Sequence, residues 1–413
     1  MGRPNVKHKN GALTAGVVAA AVLAVVSGGA LAAQRGPAEG STRAAPLPAG
    51  QSPATSSPRP SAAPSSTPSK TPTPTPKPTT PGIPATVRVD LAELQLGRAP
   101  QLPYLEGRVV KGGLGSARTI PGKQNILQAL RFNSQVVAVL EVGQGGSELV
   151  TVDSNAGVPE LGAVRVPDVA SLVGSVNVTE YGFATAPRKA DHTPAKGSAV
   201  YWSNGLPLPG EKESPMRKLE RPNDWGSTAL AVVGDTVYFS ADIDPNGITS
   251  ALYEWNSKTG KVTRLRSFKS PFRVDYVGRT GVDQIAGAAQ TFCSVLREID
   301  NGKQLWRTCE YALNGFTPDG RTVYATPDFR AGSSDPFTAA LDARTGELRR
   351  KWTGAQFLHA LAEDDDHLLM VADTGEGTRS AIIRCSVATG DCELATPLTR
   401  IPRYDLRLLG AQA

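Results

Sequence analysis

A hairpin turn that ends in glycine recurs along most of the chain, and it limits the fold more than any other sequence feature. The turns are SNAG, SNG, NSKTG, DNG, DARTG and SVATG, which end at Gly157, Gly205, Gly260, Gly302, Gly346 and Gly390. Successive glycines lie 48, 55, 42, 44 and 44 residues apart. Self-similarity at a period of this size indicates a repeat architecture.

The end of an apolar run recurs with nearly the same period. These ends fall at Glu141, Ala186, Asp242, Asp328 and Asp373, and each precedes the next glycine turn by 16 to 19 residues. The runs themselves, such as QVVAVLEV (135–142), TVYFSAD (236–242) and HLLMVAD (367–373), are typical of β-strands. Only the fifth repeat lacks a clean strand end, near residue 285.

A unit of strand, loop, strand, glycine turn and strand at this period corresponds to one four-stranded blade of a β-propeller. The sequence therefore predicts an all-β propeller domain over residues 86–413. Residues 99–413 number 315, which is seven periods of about 45 residues, so seven four-stranded blades are expected. Six blades can be counted directly, and the first, near 98–125, is irregular. Six or eight blades stay open as alternatives.

Three sequence segments carry a family resemblance: FTPDGRTVY (316–324), LYEWNSKTGKV (252–262) and LDARTGEL (341–348). They resemble the degenerate WD-repeat and TolB-like propellers of secreted bacterial proteins. The resemblance covers residues 98–413 and implies the fold, not an activity. The Gly-His and Trp-Asp dipeptides of true WD repeats are absent. The order of segments along the whole chain (an apolar N-terminal segment, a Pro-rich segment and a propeller) also resembles that of uncharacterised envelope proteins of actinobacterial type. This resemblance implies a location in the cell envelope.

The N-terminus predicts an export or membrane-anchoring segment. Residues 1–10 are polar and basic, and residues 11–33 carry no charge over 23 positions. About 20 apolar residues span a bilayer as a helix, so 11–33 is expected to be a transmembrane anchor or a signal peptide. The basic residues keep 1–10 cytoplasmic under the positive-inside rule. We therefore expect a single-pass membrane protein with an extracytoplasmic C-terminal domain, or alternatively a secreted protein after signal cleavage.

Residues 34–85 contain 14 of the 33 prolines, with Ser, Thr and Ala between them. Such a composition cannot bury a core, so a disordered Pro/Ser/Thr-rich linker is expected. Its physical interpretation is a stalk that holds the propeller away from a membrane. An unselected low-complexity linker is the alternative.

The net charge of +6 arises in the N-terminal part. Residues 1–86 carry a net charge of +7, whereas residues 87–413 carry −1. Nucleic-acid binding requires clustered Lys and Arg on a folded face, so it is not expected here. The expected partner is an unidentified protein or a cell-wall polysaccharide, together with the membrane through residues 11–33. The propeller itself is expected to be monomeric.

The four cysteines form two pairs, and each pair flanks a glycine turn. In an antiparallel hairpin, opposed residues have a constant index sum, and this places Cys293 opposite Cys309 and Cys385 opposite Cys392. Facing Cα atoms in a hairpin lie within disulfide range. The sequence therefore predicts two local disulfides, which an oxidising compartment favours. Two free buried pairs are the alternative.

DIDPNG matches the first half of a calcium loop, in which alternate oxygens converge on the cation. Asp242, Asp244 and Asn246 are the candidate ligands. The second half departs from the pattern, because Tyr253 stands where a bidentate Glu is expected. An ordinary inter-strand loop is the alternative. No other metal and no cofactor are expected.

One long repeat, with the step of 55 residues, carries the excess EKESPMRKLERPND at 211–224. Insertions in a blade fall on one face and often bind ligands. Trp225, Arg221 and Asp224 are therefore candidate binding residues, with a tolerated surface insertion as the alternative. The remaining tryptophans are interpreted as packing between blades.

No catalytic constellation is visible, so no catalytic residue is assigned. EDDDH (363–367) is interpreted as a solvated hairpin turn. The leading hypothesis is a non-catalytic binding or scaffold module, displayed outside the membrane for an envelope or exported ligand. One alternative is a propeller enzyme, such as a glycosidase, lyase or quinoprotein, with its site in the central funnel. Its candidate residues are Asp242, Asp283, Arg273 and Arg279. A structural or regulatory envelope component is the second alternative.

Overall fold

A computed structural model describes residues 85–410 of the chain. Its gaps lie at 114, 133–134, 144–145, 153–161, 176–178, 206–215, 287–291, 329–333, 376–378 and 403. The predicted segments 1–10, 11–33 and, apart from Ala85, 34–85 lie outside the described residues. The described residues form strands and turns and no helix. No helix in this part of the chain thus has the length and apolar character that crossing a membrane requires.

Both ends of the described chain contribute to the first sheet. The chain begins with β1 (Thr86–Arg88) and continues with β2 (Tyr104–Glu106), β3 (Val109–Lys111) and β4 (Arg118–Thr119). The last strand, β28 (Leu406–Leu408), pairs antiparallel with β2, so that sheet 1 has the order β28-β2-β3-β4. Sharing a sheet between the two termini explains why residues 98–125 do not read as a complete repeat.

Four further sheets are each built from four consecutive strands in antiparallel order. Sheet 2 contains β5 (Ile126–Phe132), β6 (Gln135–Val142), β7 (Gly146–Val152) and β8 (Gly162–Pro167). Sheet 3 contains β9 (Val169–Gly174), β10 (Tyr181–Thr185), β11 (Ser198–Ser203) and β12 (Arg217–Arg221). Sheet 4 contains β13 (Gly226–Val233), β14 (Thr236–Asp242), β15 (Ser250–Asn256) and β16 (Val262–Leu265). Sheet 5 contains β17 (Pro271–Asp275), β18 (Thr280–Ala286), β19 (Phe292–Glu298) and β20 (Gln304–Thr308).

Sheet 6 has eight strands, because one long strand joins two halves. It contains β21 (Tyr311–Phe316), β22 (Thr322–Pro327), β23 (Asp335–Asp342), β24 (Leu348–Ala362), β25 (His367–Asp373), β26 (Ser380–Ser386) and β27 (Cys392–Leu394). Residues 348–353 and Phe357 of β24 pair with β23, and residues 356–362 pair with β25. β1 adds in parallel to the first half of β24. Between the halves lies Gly354, with a φ of 94° and no room for a Cβ beside the Val89 carbonyl oxygen.

The sheets pack on one another in chain order through buried apolar clusters. Phe132 of sheet 2 packs in one cluster with Phe183 of sheet 3. The same kind of packing joins each sheet to the next as far as sheet 6, whose cluster includes Leu408 of sheet 1. Leu105 of sheet 1 packs in turn with Val136 of sheet 2. In a β-propeller, four-stranded antiparallel sheets follow one another around a central channel, and the last sheet packs against the first. The all-β propeller predicted from the sequence is thereby supported.

The repeat seen in the sequence corresponds to a fixed position in the sheets. Four of the glycine turns join the third and fourth strands of their unit in the same way, and the glycine amide donates a hydrogen bond four residues back. The bonds run from Gly260 to Asn256, Gly302 to Glu298, Gly346 to Asp342 and Gly390 to Ser386. The predicted strands 135–142, 236–242 and 367–373 coincide with β6, β14 and β25. The fifth repeat does contain its second strand, β18.

The interpretation of 211–224 as an insertion is wrong for its second part. Arg217–Arg221 forms β12, the outer strand of sheet 3, and Leu219 pairs with Val200 of β11. Leu219 packs against the buried cluster between sheets 3 and 4. The sheet thus needs this segment as its fourth strand, although its charged residues suggested a loop. Residues 211–215 lie outside the described residues.

Candidate functional site

The innermost strands carry irregularities in their pairing with the second strand of their unit. Six of these strands have one residue that pairs with nothing on the second strand: Leu127, Ala170, Leu230, Phe272, Asn314 and Leu358. A β-bulge of this kind bends the strand and redirects the side chains next to it. The residues directly after the bulges are Gln128, Ser171, Ala231, Arg273, Gly315 and His359. Two of them, Arg273 and His359, are ionisable.

The innermost strands surround a central cavity of about 470 Å³. Its wall comes from β5, β9, β13, β17, the second half of β24 and β28. A side cavity of about 80 Å³ adjoins it and reaches towards β21. The two cavities share Arg273 and His359 in their walls. A cavity of this size lies in the range of small-molecule binding sites.

The central cavity opens at the side of the propeller on which the innermost strands begin. Tyr404 and Leu127 belong to its wall, and they are 61% and 43% exposed. Tyr404 directly precedes β28, and Leu127 is the second residue of β5. We call this side the open face.

The wall is apolar with a positive charge. Its apolar residues include Leu105, Leu172, Leu358, Leu361 and Leu408. Two arginines, Arg273 and Arg407, line it, and among its described residues there is no Asp or Glu.

Arg273 is held in place by backbone carbonyl groups. Its Nε donates a hydrogen bond of 2.8 Å to the carbonyl oxygen of Asn314, the bulged residue of β21, and Nη1 donates one of 2.8 Å to the carbonyl of Phe272. Its guanidinium carbon lies 4.0 Å from the centroid of the Phe272 ring. The guanidinium therefore has a fixed position at the junction of the two cavities.

Arg407, the second arginine of the wall, lies on β28, the last strand of the described chain. Its Nη1 donates to the carbonyl oxygen of Ile126 over 3.0 Å. Its Nε is buried and makes no hydrogen bond with any described residue. Burial lowers the pKa of the Arg407 guanidinium, although the charge of Asp405 acts in the other direction.

The side cavity contains a buried tyrosine beside Arg273. Burial raises the pKa of Tyr324 to about 12, and the charge of Arg273 opposes that rise. The Tyr324 ring passes over Gly315, where a Cβ would come within 2.1 Å of the tyrosine oxygen. Gly315 therefore makes the space in which Tyr324 lies, and Tyr324 remains a neutral hydrogen-bonding group at neutral pH.

The candidate binding residues Trp225, Arg221 and Asp224 lie together at the open face, just before β13. Arg221 forms an ion pair with Asp224 and stacks 4.4 Å from the centroid of Tyr253. The Trp225 ring is half-buried and carries Lys196 Nζ at 5.3 Å. None of the three lines the central cavity. Their role as a binding site stays a prediction.

The candidate calcium residues form a tight loop at the same face. Asp244 accepts hydrogen bonds from the amides of Asn246 (2.9 Å) and Ile248 (3.3 Å), and a third from Thr249. Its carboxylate oxygens thus cap the loop. Among the described residues, no group of three His, Cys, Asp or Glu side chains is placed to hold a metal. Calcium binding stays a prediction, which a calcium titration followed by thermal stability tests.

The four funnel residues of the enzyme alternative are not brought together. Arg273 alone lines the central cavity. Asp283 is fully buried within β18, where it accepts the amides of Lys269 and Ser270 and pairs with Arg297. Arg279 lies in the turn between β17 and β18, at the face opposite the Asp242 loop, and pairs with Asp300.

The segment EDDDH is the predicted hairpin turn between β24 and β25, but it is solvated only in part. The Glu363 side chain is completely buried and forms an ion pair with Arg384, which is 3% exposed. Asp364 accepts from the His367 ring at 2.9 Å. The Glu363 carboxylate also accepts a hydrogen bond from the backbone amide of Gln101. This bond fastens the N-terminal segment to sheet 6 and explains why the Glu363 side chain is buried.

Both predicted disulfides are present, which confirms the pairing. Cys385 and Cys392 face each other in the register of β26 and β27, with Cα atoms 4.2 Å apart. Cys293 and Cys309 lie one position beyond the facing pair Ser294 and Thr308, with Cα atoms 4.1 Å apart. Two structural disulfides are typical of an oxidising, extracytoplasmic compartment.

Arg407, His359 and Tyr404 also line the wall, and they were not among the residues predicted from the sequence. One signal was available for the first two: each is an ionisable residue inside a short apolar run, LRLL for Arg407 and FLHAL for His359. A charge at a position that should face a core has either a partner or a function.

No protein-family model and no curated protein matches the chain. Similar solved structures include TolB from Acinetobacter baumannii, at 14% identity and a TM-score of 0.42, covering 66% of this chain and 66% of TolB. An uncharacterised protein from Listeria monocytogenes has 7% identity and a TM-score of 0.42, with 75% of this chain and 87% of that chain covered. A functionally unknown protein from Desulfotomaculum acetoxidans has 11% identity and a TM-score of 0.45, with 75% and 99% covered. The match spans just under two thirds of TolB, and we take no function from these likenesses.

Proposed function

We propose that this chain is an extracytoplasmic, membrane-tethered propeller of seven four-stranded blades that binds an envelope or exported ligand in its central cavity. Counting the two halves of sheet 6 separately supports the blade number. The two disulfides support the compartment. The uncharged run at residues 11–33 supports the tether.

The central cavity is the observation that carries the binding role. Several innermost strands each contribute one or more side chains to its wall, and it opens beside Tyr404. Glycoside hydrolysis requires two carboxyl groups at a set separation. The described wall of the central cavity holds none, and that of the side cavity holds Asp335. Binding is therefore the function this geometry supports best.

Blocking the cavity tests the binding role. Thr228 lies in the wall on β13, whereas Thr263 is exposed on the outer strand β16 of the same sheet. Full-length wild type, Thr228→Trp and Thr263→Trp are immobilised and exposed to envelope extract. We expect one ligand to be retained by wild type and Thr263→Trp and lost from Thr228→Trp. Equal retention by all three, or none by wild type, contradicts the proposal.

The location has its own test. A membrane-impermeant amine reagent applied to intact cells is expected to label exposed lysines of the propeller, such as Lys258 and Lys261. Labelling only after lysis would place the propeller in the cytoplasm. Mass spectrometry of the mature N-terminus then distinguishes a retained anchor from a cleaved signal peptide.

A further inference from the structure

A segment near the start of the described chain crosses the outer edges of both halves of sheet 6. We call this segment, residues 85–97, the strap. It contains β1, and the Val89 amide that follows donates a hydrogen bond of 2.7 Å to the Thr353 carbonyl oxygen of β24. Its last part reaches β27, where the Gly97 amide donates to the Leu394 carbonyl oxygen over 2.9 Å. The strap thus joins the two halves before the chain enters sheet 1 as β2.

Few side chains hold the strap in place. Val89 and Leu91 are 2% and 5% exposed, and the other side chains of residues 85–97 are exposed or half-buried. Segments with few buried apolar contacts open locally at a lower free energy than the sheets beneath them. The strap is therefore the part of this junction that can leave the surface while the sheets stay folded.

The chain is fixed again directly after the strap. Arg384, which is 3% exposed, donates hydrogen bonds of 2.9 and 3.0 Å to the carbonyl oxygens of Arg98 and Ala99. These bonds hold the chain on sheet 6 at this point. A movement of the strap therefore pivots at its C-terminal end.

The two buried side chains of the strap pack behind the wall of the central cavity. Val89 and Leu91 belong to a buried cluster that also contains three leucines of that wall, Leu361, Leu406 and Leu408. The first of these leucines lies on β24 of sheet 6, and the other two lie on β28 of sheet 1. The strap thus completes the core at the point where the last sheet of the ring meets the first.

The strand beneath the strap leads directly into the same wall. β24 pairs with β1 at residues 351–353 and then lines the cavity with Leu358 and His359. Between these two parts, Gly354 allows the strap to approach closely, because a Cβ there would lie 2.6 Å from the Val89 carbonyl oxygen. A movement of the strap therefore acts on a strand that shapes the cavity.

We propose that the strap is a latch for the central cavity. Docked on β24 and β27, it keeps sheets 1 and 6 together. When it is released, these two sheets separate and the wall that β24 and β28 form becomes looser. Docking of the strap and binding of a ligand then favour each other, since coupling between two sites is reciprocal. The effect on the ligand rests on the cavity-binding function proposed above, whereas the effect on the two sheets does not.

Hydrogen–deuterium exchange of the full-length chain tests the latch. Leu91→Asp places a charge in the buried cluster and releases the strap without changing β24, whereas Ala92→Asp adds the same charge at the exposed neighbouring position. In Leu91→Asp we expect peptides of the strap, β2 and β28 to exchange about tenfold or more faster than in wild type, because their local opening becomes easier. Peptides of β14 in sheet 4, and all peptides of Ala92→Asp, should exchange as in wild type.

A second pair of variants releases the strap from the side of β24, and it decides the question if Leu91→Asp does not fold. Gly354 and Gly260 both have a positive φ, 94° and 73°, so Gly354→Ala and Gly260→Ala both strain the backbone. No atom lies within 4 Å of a Cβ at Gly260, whereas the strap lies against Gly354. Gly354→Ala should therefore reproduce the exchange pattern of Leu91→Asp, and Gly260→Ala should leave the strap, β2 and β28 unchanged. Faster exchange of the strap alone, with β2 and β28 as in wild type, would overturn the inference.

Ligand retention then tests the control of the cavity. Immobilised full-length wild type, Leu91→Asp and Ala92→Asp are exposed to envelope extract. We expect Leu91→Asp to retain about fivefold less ligand than the other two, or less still, as coupling between sites gives effects of this size. If the two variants retain equal amounts although β2 and β28 have opened, the latch does not control the cavity and the inference is wrong, while the cavity-binding function stands. If wild type retains nothing, the cavity-binding function is wrong, and the exchange experiment alone decides whether the strap holds sheets 1 and 6 together.

Discussion

The indole Nε1 of Trp352 donates a hydrogen bond of 3.2 Å to the carbonyl oxygen of Gly390, which links the two halves of sheet 6. Trp352 lies in the fourth strand of the first half, and Gly390 ends the glycine turn of the second. Trp306 repeats the arrangement one unit earlier, where its Nε1 donates to Ala343 at 2.9 Å. A tryptophan on one outer strand thus fastens the glycine turn of the next unit.

Replacing Trp352 by Phe is expected to lower the free energy of unfolding by about 1–3 kcal/mol, because the buried Gly390 carbonyl loses its donor. Trp306→Phe should cost less, since Trp306 is only half-buried. Trp225→Phe, at a half-buried ring on the open face, serves as the control and should cost less than Trp352→Phe. Urea denaturation followed by far-UV circular dichroism measures all three. Equal effects for Trp352 and Trp225 would remove the inter-unit role.

The disulfides predict a second set of outcomes. Mass spectrometry of alkylated protein with and without prior reduction should show four cysteines that become reactive only after reduction. Chain-entropy arguments give about 2–3 kcal/mol for each loop, and slightly more for Cys293–Cys309 because it closes 16 residues rather than 7. The double variants Cys293→Ser/Cys309→Ser and Cys385→Ser/Cys392→Ser compare them by denaturation. Free thiols in the unreduced protein would contradict the pairing.

The strands, the glycine turns and the disulfides could be predicted because each depends on residues close in sequence. β14 coincides with its predicted bounds since alternation and turn residues define a strand locally. Cys385 could be placed opposite Cys392 because the turn at Gly390 fixes the register of the hairpin. The outer strand β12 escaped prediction because its burial depends on Leu219 meeting a neighbouring sheet.

The central cavity could not be predicted in the same way. Its wall collects residues from strands separated by most of the chain, such as Gln128 and Arg407. Which residue of each strand faces the axis is decided by a bulge, and a bulge at Phe272 or Leu358 has no local sequence signature. Glu363 was misjudged for a related reason, because its partner Arg384 lies on a different strand.

The ion pair between Glu363 and Arg384 supports a third prediction. Both side chains are buried, and the Arg384 Nη1 and Nη2 atoms also donate to the carbonyls of Arg98 and Ala99 at 2.9 and 3.0 Å. Removing one member of a buried pair costs about 3–5 kcal/mol because the other charge stays buried. Glu393 and the two carbonyls stay beside Arg384 in Glu363→Ala, so we expect a loss near the lower end of this range in chemical denaturation.

Asp365→Ala in the same turn is the matched control, since Asp365 is exposed. It should be close to neutral. The double variant Glu363→Leu/Arg384→Leu is expected to lose less than the sum of its single variants, because neither of these two buried charges is then left without the other. Additive losses would show that the two side chains act independently.

Two neighbouring aspartates at the open face predict opposite pH dependences. Burial, followed by the charges of Asp244 and Asp224, raises the pKa of Asp242 to about 6. For Asp244, partial burial acts upwards, but the amides of Thr249, Asn246 and Ile248 outweigh it and hold the pKa below its usual range. A raised carboxyl pKa means that the folded state binds the proton more tightly than the unfolded state. The stability from Asp242 is therefore complete below about pH 4 and lost as the pH rises through about 6.

Asp242→Asn removes the pH-dependent contribution of the Asp242 carboxyl group to stability. The free energy of unfolding of this variant should therefore fall less than that of wild type between pH 4.5 and 7.5. Asp244→Asn is expected to act in the opposite direction and only below about pH 4, because a lowered pKa contributes stability that is complete above the unfolded value and is lost as the pH falls through the folded value. Denaturation curves at a series of pH values measure both variants against wild type. If the two variants change the pH profile with the same sign, Asp242 and Asp244 do not have the different environments that their burial and hydrogen bonds indicate.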